Sequence, residues 1–445
     1  MTDPSTMRCS GCGAEVGYDE PFPFRCPNAD RGGDVDHVLV RVLDELAPPL
    51  PGLEGEDQDA NPFVRHRELF RSYHVARSAG LTDADYVEIV TRLDRAVAEV
   101  DGRGFRVTPF LRAAALSDRL GFSAGGGVWV KDETGNVSGS HKGRHMMGLM
   151  IHLRVVERLD LLPTDRPDLA IASCGNAALA AAVVAAAARW PLQVFVPVDA
   201  DPAVVARLKE LHAIVTACPR DDGVPGDPTY HRLEQELRSG ALPFTCQGSQ
   251  NGLAIEGGLT LGYEIGGAGV PLDRLVVQVG GGALASACVQ GIGEANRLGG
   301  IDVPTIDAVQ TEGAAPLARA HARLSERIAA HPDVPLDEHL RDAATHRSAF
   351  MWPWESEPRS VAHGILDDET YDWFAVVRAV LETDGRAVVV DEATLRRANE
   401  LARDGTGIDV DHTGSSGLAG VMALRAAGTI GDDERVAVLF TGVRR

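Results

Sequence analysis

The stretch RLVVQVGGGALASACVQGIGEAN, residues 274–296, joins a short β-branched run, a run of glycines and an alanine-rich run with helical spacing. This pattern predicts a buried strand that turns sharply into a helix. Similar strand-to-helix pairs occur at LAIAS before Cys174, at residues 192–198 and at RVAVLF before Thr441. Strands that alternate with helices predict an α/β fold whose parallel sheet is covered by helices on both faces.

Sheets of this kind bind ligands in loops at the carboxyl ends of their strands. One such loop consists of Gly280, Gly281, Gly282, Ala283 and Leu284. Glycines let backbone N–H groups approach an anion, and a helix N-terminus favours negative charge, so the loop predicts a phosphate site. The run also matches a dinucleotide fingerprint, but Gly300 stands where an acid is expected about 20 positions later. A dinucleotide is therefore not favoured.

A second candidate loop contains Lys142 and follows the strand-like run at residues 128–133. A lysine that carries an electrophile must be desolvated or placed beside other cations, because its amine must be free to react. His141 and Arg144 are the candidates for supplying that environment. The alternative is a solvated surface lysine.

The N-terminal region carries a different signal. Three cysteines can act as soft metal ligands: Cys9, Cys12 and Cys26. Ala29 stands where a second Cys-x-x-Cys would end, so His37 is the candidate fourth ligand of a zinc ion. We predict a cysteine-containing, ribbon-like extension and linker over residues 1–60. The alternative is a ribbon that packs without metal.

The next segment has a helical pattern. Residues 48–62 are rich in Pro, Gly and acids, which is typical of a linker or surface strap. Apolar residues three and four apart over residues 63–100 predict two helices, with Thr82 as the N-cap of the second. We therefore predict a helical extension over residues 61–107.

Composition excludes several classes of protein. The net charge of −21 argues against a generic nucleic-acid binder. The longest apolar run, residues 177–188, is shorter than the ~20 residues that cross a bilayer, so we expect no membrane span. The N-terminal residues lack the basic and apolar regions of an export signal, which predicts a cytoplasmic protein.

The order of these segments resembles the fold type II pyridoxal-phosphate enzymes, the tryptophan synthase β superfamily, and most closely its threonine synthase and threonine dehydratase branch. The resemblance is carried by TPFL at 108–111, KDETGNVSGSHKGRH at 131–145, ASCGNAALAAA at 172–182, SQNGLAIEGGLTLGYEI at 249–265 and LFTG at 439–442. It covers the chain from Thr108 to the end.

This resemblance implies a catalytic region over residues 108–445 that binds pyridoxal 5'-phosphate (PLP). Two interleaved α/β domains with parallel-rich twisted sheets would hold the cofactor in the cleft between them, and the smaller domain would span approximately residues 145–260. We expect a small amino-acid substrate and a homodimer.

The resemblance also implies roles for individual residues. Lys142 would be the Schiff-base lysine and the catalytic residue. The cofactor would further contact Asn176 at its 3-hydroxyl, Gly280, Gly281, Gly282, Ala283 and Leu284 at its phosphate, and Thr441 at its pyridine nitrogen, with Ser415 and Ser416 as lesser candidates. The loop that holds the substrate carboxylate would be Ser173, Cys174, Gly175, Asn176 and Ala177.

Several positions depart from the family pattern. Ala254 replaces an arginine that is expected to bind a substrate phosphate in threonine synthases, and His141 replaces the usual Phe. A neutral hydroxyl at Thr441 makes a weaker electron sink than a protonated ring nitrogen, which favours prompt loss of a β-substituent. We therefore expect β-elimination of the ammonia-lyase or dehydratase type, or β-replacement.

Two alternatives remain at this point. The first is threonine synthase-type γ-elimination and replacement on O-phosphohomoserine, with another cation such as Arg144 as the phosphate clamp. The second is a non-catalytic sensor or partner subunit that carries PLP.

Overall fold

The computed structural model describes residues 5–43, 47–51, 61–220 and 227–445. The linker expected at residues 48–62 lies largely outside this described part of the chain, because residues 52–60 fall in one of its gaps. Among the helices of the described ranges, none combines the length and the apolar character that crossing a membrane requires.

The N-terminal extension contains a small antiparallel ribbon. Its strands are β1 (Ser5–Cys9), β2 (Glu15–Val16) and β3 (Leu39–Leu43). They lie in the order β2-β1-β3, and Met7 pairs with Val16 on one side and with Arg41 on the other. Buried and half-buried residues alternate along β3, as expected for a strand covered on one face.

Three helices follow the ribbon: α1 (Pro62–Arg65), α2 (Arg71–Ser78) and α3 (Asp83–Asp101). Thr82 caps α3, since its hydroxyl accepts the Asp85 N–H at 3.1 Å while the Asp85 carboxylate accepts the Thr82 N–H at 2.7 Å. This reciprocal pair is a capping box. The short α1 adds a turn to the two predicted helices, because Pro62 presets the first helical φ and Asn61 caps it.

The rest of the chain alternates strands with helices. The strands are β4 (Phe110–Arg112), β5 (Gly127–Asp132), β6 (Leu169–Ala172), β7 (Leu192–Pro197), β8 (Ile214–Cys218), β9 (Leu242–Pro243), β10 (Arg274–Gln278), β11 (Thr305–Thr311), β12 (Ala387–Val390) and β13 (Arg435–Phe440). The helices are α4 (Ala114–Arg119), α5 (Lys142–Arg158), α6 (Asn176–Ala188), α7 (Pro202–Glu210), α8 (Pro228–Arg238), α9 (Ala254–Gly267), α10 (Ala283–Arg297), α11 (Pro316–Ala330), α12 (Leu336–Thr345), α13 (Trp373–Glu382), α14 (Glu392–Thr406) and α15 (Ser416–Ala426).

These strands form two sheets. The larger has six strands in the order β12-β11-β10-β13-β5-β4, parallel except for the antiparallel edge strand β4. The smaller has four parallel strands in the order β8-β7-β6-β9. The chain leaves the larger sheet after β5, builds the smaller one and returns through α9 to β10. The predicted α/β fold with interleaved, parallel-rich sheets is confirmed; the predicted domain boundaries stay predictions.

Helices α5, α9 and α10 pack side by side through glycines. A Cβ on Gly148 of α5 would lie 2.6 Å from the Cα of Gly257 on α9. A Cβ on Gly262 of α9 would lie 2.6 Å from the Cα of Gly291 on α10. No side chain fits at either crossing, so these glycines set the spacing of three helices that connect the two sheets.

A buried cluster of charges joins β5, α5 and α9. The Arg144 guanidinium donates to Glu133 at 2.9 Å and to Glu264 at 2.5 Å, and Lys131 pairs with the same Glu264 carboxylate. All four side chains are buried. This corrects our expectation that Arg144 acts beside Lys142 or clamps a substrate phosphate, because its guanidinium is already bound to two carboxylates.

We predict that Arg144→Met lowers the free energy of unfolding by about 3 to 5 kcal/mol, since it leaves two buried carboxylates with one cation. Urea denaturation of the apoprotein measures this. Arg378→Met is the matched control: the Arg378–Glu382 pair is about half exposed, and such pairs contribute about 0 to 1 kcal/mol. Equal losses in the two variants would contradict the role given to the buried cluster.

Candidate active site

Lys142 is the first residue of α5, where the chain leaves the larger sheet. Two backbone hydrogen bonds hold the preceding turn against the end of β13: His141 N–H donates to the Thr441 carbonyl at 3.2 Å, and Val443 N–H donates to the Gly139 carbonyl at 2.9 Å. Gly139 has a φ of 68°, in the left-handed region that glycine adopts without strain. The turn therefore places Lys142 beside Thr441.

A cavity opens at this carboxyl edge of the larger sheet. Lys142 lines it together with Ser173, Ala177 and Thr441. The glycine loop lines it through Gly280, Gly281, Gly282, Ala283 and Leu284. Loops that follow β5, β6, β10 and β13 thus meet around one cavity, although they lie far apart in the sequence.

Three predicted residues of the carboxylate loop lie outside the cavity wall. Cys174 and Gly175 are not among its lining residues, and Cys174 is exposed. The amide oxygen of Asn176 accepts a hydrogen bond from Arg445. A role of Asn176 at the cofactor 3-hydroxyl stays a prediction.

The lesser candidates Ser415 and Ser416 also lie outside the lining. The Ser415 hydroxyl donates to the Asp411 carbonyl at 2.9 Å, and the Ser416 hydroxyl donates to the His412 carbonyl at 2.7 Å. Both hydroxyl protons are therefore engaged at the start of α15. Of the three hydroxyl candidates, Thr441 is the one that faces the cavity.

The glycine loop forms a cradle that a side chain would fill. A Cβ on Gly281 would lie 2.9 Å from Cδ2 of Tyr371, and one on Gly282 would lie 2.9 Å from Cγ2 of Thr370. Helix α10 begins directly after the loop, and the first N–H groups of a helix have no partner inside it. These groups and the helix dipole suit a phosphate, so the residues present fit PLP.

The sequence analysis missed the wall formed by residues 363–372. Asp367 and Tyr371 from this segment line the cavity. Burial raises the pKa of Asp367, and the positive charge of Lys142 opposes that shift. The segment has no strand or helix periodicity that could have indicated its role. Among the described residues that line the cavity, Lys142 is the one lysine or arginine.

His141 lines the cavity next to Lys142 and is buried. Its Nδ1 lies 3.3 Å from the Thr441 carbonyl oxygen, which can only accept, so Nδ1 carries the proton. Burial and the Lys142 charge hold the pKa of His141 well below its usual value. The neutral ring leaves Nε2 as a buried acceptor that has no partner within the described residues.

The predicted metal ligands come together in the ribbon. Ligand atoms of Cys9, Cys12, Cys26 and His37 all lie within 4.8 Å of one another. The Cys9 Sγ is 3.6 Å from Nδ1 of His37, and the Cys12 Sγ is 3.5 Å from the Cys26 Sγ. Three thiols and one imidazole are a ligand set that suits tetrahedral zinc.

Comparisons with known proteins agree with this geometry. Residues 103–442 match the family described as pyridoxal-phosphate dependent enzyme. The chain is 28% identical to a threonine synthase of Methanosarcina acetivorans and 24% identical to one of Methanocaldococcus jannaschii, each over 75% of this chain and 74% of the relative. It superimposes on the processed threonine deaminase isoform 2 of Solanum lycopersicum with a TM-score of 0.58 and 18% identity, over 82% of this chain and 92% of that structure.

We predict that Gly281→Ala weakens PLP binding at least about tenfold, because the new methyl group enters the cradle and meets Tyr371 at 2.9 Å. Spectrophotometric titration of the apoprotein with PLP measures the affinity. Gly293→Ala, in α10 where a Cβ meets nothing within 4 Å, is the control and should bind PLP normally. Unchanged affinity in a folded Gly281→Ala protein would refute the cradle.

Proposed function

Since the chain belongs to the family of pyridoxal-phosphate-dependent enzymes, we propose that it carries PLP on Lys142 and eliminates a β-substituent from a small amino acid. The observation that carries this proposal is the convergence of Lys142, the glycine loop and the Thr441 hydroxyl on one cavity. A reactive amine, an anion cradle and a neutral hydroxyl are the groups that attachment and tuning of this cofactor require.

When bound, PLP supplies the electron sink that makes the α-proton of an amino acid acidic. In our proposal Lys142 offers Nζ as the attachment point and as the base that moves that proton. The N–H groups of the glycine loop hold the phosphate. Ser173 and Ala177 bind the substrate carboxylate at the start of α6, with Asn176 beside them at that helix N-terminus.

The charges in the cavity support a substrate without a second acidic group. Lys142 is the one lysine or arginine among the described lining residues, and Asp367 contributes a carboxylate. Ala254 is buried, and its carbonyl accepts the His145 Nδ1–H at 2.8 Å, so this position adds no charge. A phosphate or carboxylate on the substrate side chain would face Asp367 without a cationic partner. We therefore place a β-hydroxy amino acid such as serine or threonine first.

Threonine synthase chemistry is the second candidate, and the identity of 28% with the Methanosarcina acetivorans enzyme favours it. That reaction on O-phosphohomoserine needs a binding site for the phosphate of the leaving group. β-Replacement by an added nucleophile and a non-catalytic PLP-carrying subunit are the other outcomes. A homodimer and a cytoplasmic location remain predictions from the sequence.

We predict that the PLP-loaded protein releases ammonia and a keto acid from serine or threonine. Hydroxyaspartate, cysteate and O-phosphohomoserine should react at least about tenfold more slowly, a factor that corresponds to about 1.4 kcal/mol of unfavourable interaction with Asp367. Coupled assays for ammonia, keto acid, phosphate and threonine measure this. Asp367→Asn should narrow the difference between neutral and acidic substrates, because it removes the repelling charge.

Lys142→Ala is the control for the site of attachment. It should abolish turnover and the mass of one cofactor that borohydride traps on the chain. Efficient formation of threonine and phosphate from O-phosphohomoserine would replace elimination by the second candidate. A PLP-loaded protein that turns over none of the panel would favour the non-catalytic subunit.

We also propose that Cys9, Cys12, Cys26 and His37 bind a structural zinc ion. The support is the 4.8 Å clustering of four ligand atoms from two ends of the ribbon. A closed set of four protein ligands leaves no open position for a substrate, which is typical of a structural zinc site.

We predict that the purified protein contains about one zinc ion per chain and that Cys12→Ser lowers this content and the thermal unfolding temperature. Elemental analysis and calorimetry measure the two effects. Cys218→Ser changes a buried thiol outside the cluster, so zinc content should be retained. Full occupancy in Cys12→Ser, or zinc-free wild-type protein of equal stability, would argue for a ribbon that packs without metal.

A further inference from the structure

Gln278 ends β10 directly before the glycine loop and is 2% exposed. Its side-chain Nε2 lies 2.9 Å from the Thr441 Oγ1. The same nitrogen lies within hydrogen-bond distance of three backbone carbonyls: 3.3 Å from Thr413, 3.0 Å from Gly414 and 3.2 Å from Leu439. One buried amide therefore meets four acceptors beneath the cavity.

The three carbonyls fix the orientation of this amide. Carbonyl oxygens only accept hydrogen bonds, so the NH₂ group and not the amide oxygen must face them. The Gln278 oxygen points the other way, toward Gly417, where a Cβ would lie 3.0 Å from it. The Thr441 oxygen consequently acts as an acceptor for Gln278.

A hydroxyl that accepts one hydrogen bond still has its own proton to donate. Within the described residues, the Thr441 Oγ1 has no acceptor for that proton, and Thr441 lines the cavity beside Lys142. Gln278 also engages the carbonyls of Thr413, Gly414 and Leu439, which are the nearby groups that could otherwise take the proton. The arrangement leaves the cavity as its destination.

We propose that Gln278 is a positioning residue that makes the Thr441 hydroxyl a hydrogen-bond donor toward the cavity, so that the pyridine nitrogen of the bound cofactor accepts this hydrogen bond and stays unprotonated. This inference rests on the proposed function, in which Thr441 contacts that nitrogen. It assigns the electronic state of the ring to a residue of β10 that does not itself touch the nitrogen.

Gln278→Met tests the proposal, because it keeps the length of the side chain and removes the donor. PLP labelled with ¹⁵N in its ring is bound to each variant, and the ring-nitrogen chemical shift and kcat are measured. We expect Gln278→Met and Thr441→Val to bind PLP, to shift the ¹⁵N resonance in the same direction and to lower kcat about tenfold, roughly the factor for one hydrogen bond. The double variant should resemble either single variant, since both remove the same interaction.

Gln310→Met is the matched control. Gln310 is a second buried glutamine on the neighbouring strand, but it donates to the Val279 carbonyl and accepts from the Leu317 and Ala318 N–H groups. Its substitution should leave the ¹⁵N resonance unchanged. If Gln278→Met does not fold, Gln278→Asn, with an amide one methylene shorter, should shift the resonance in the direction of Thr441→Val.

A wild-type ¹⁵N resonance in the Gln278 variants while Thr441→Val is shifted would overturn this inference and leave the proposed function standing. Effects of the two substitutions that add in the double variant would overturn it as well. A protein that does not bind PLP, or a Thr441→Val resonance equal to that of the wild type, would instead overturn the assignment of the cofactor site, and this inference with it.

Discussion

Arg144 and Lys131 are buried, so their charges are balanced by the carboxylates of Glu133 and Glu264 instead of by water. Burial alone would raise the pKa of Glu264, but the two cations lower it below its usual value. Separating any member from the others would leave an uncompensated buried charge, which costs several kcal/mol. Because the cluster joins β5, α5 and α9, it also fixes the start of α5, where Lys142 stands.

The N-terminal ribbon packs on the elements that this cluster holds. Arg41 of β3 donates to the Tyr263 hydroxyl of α9 at 2.5 Å and forms an ion pair with Glu294 of α10. The Gly252 N–H, directly before α9, donates to the Phe24 carbonyl of the ribbon at 2.9 Å. Residues 245–247, a few positions earlier, line the cavity. A metal ion in the ribbon would thus stabilise a module that contacts the segment leading from the cavity to α9.

The cavity is polar but has little fixed positive charge. His141 is neutral with a free Nε2, Thr441 and Gln278 are neutral, and Asp367 adds a carboxylate near Lys142. Neutral groups at the base of the cavity tune an electron sink without protonating it, whereas a phosphate on a substrate side chain would find no arginine in the described wall. These two properties together connect the site to the loss of a neutral β-substituent.

The sequence by itself determined the backbone plan: strands that end in glycine loops, the lysine before α5, the threonine after β13 and the cysteines of the ribbon. These features are local, because a strand, its turn and the next helix are encoded by neighbouring residues. The tertiary structure alone decided that Arg144 turns away from Lys142, that Asp367 and Tyr371 close the wall, that His37 joins the cysteines and that Gln278 directs the Thr441 hydroxyl. Each of these depends on which side chain a distant segment brings opposite, and on whether burial leaves a charge or hydrogen-bonding group any other partner.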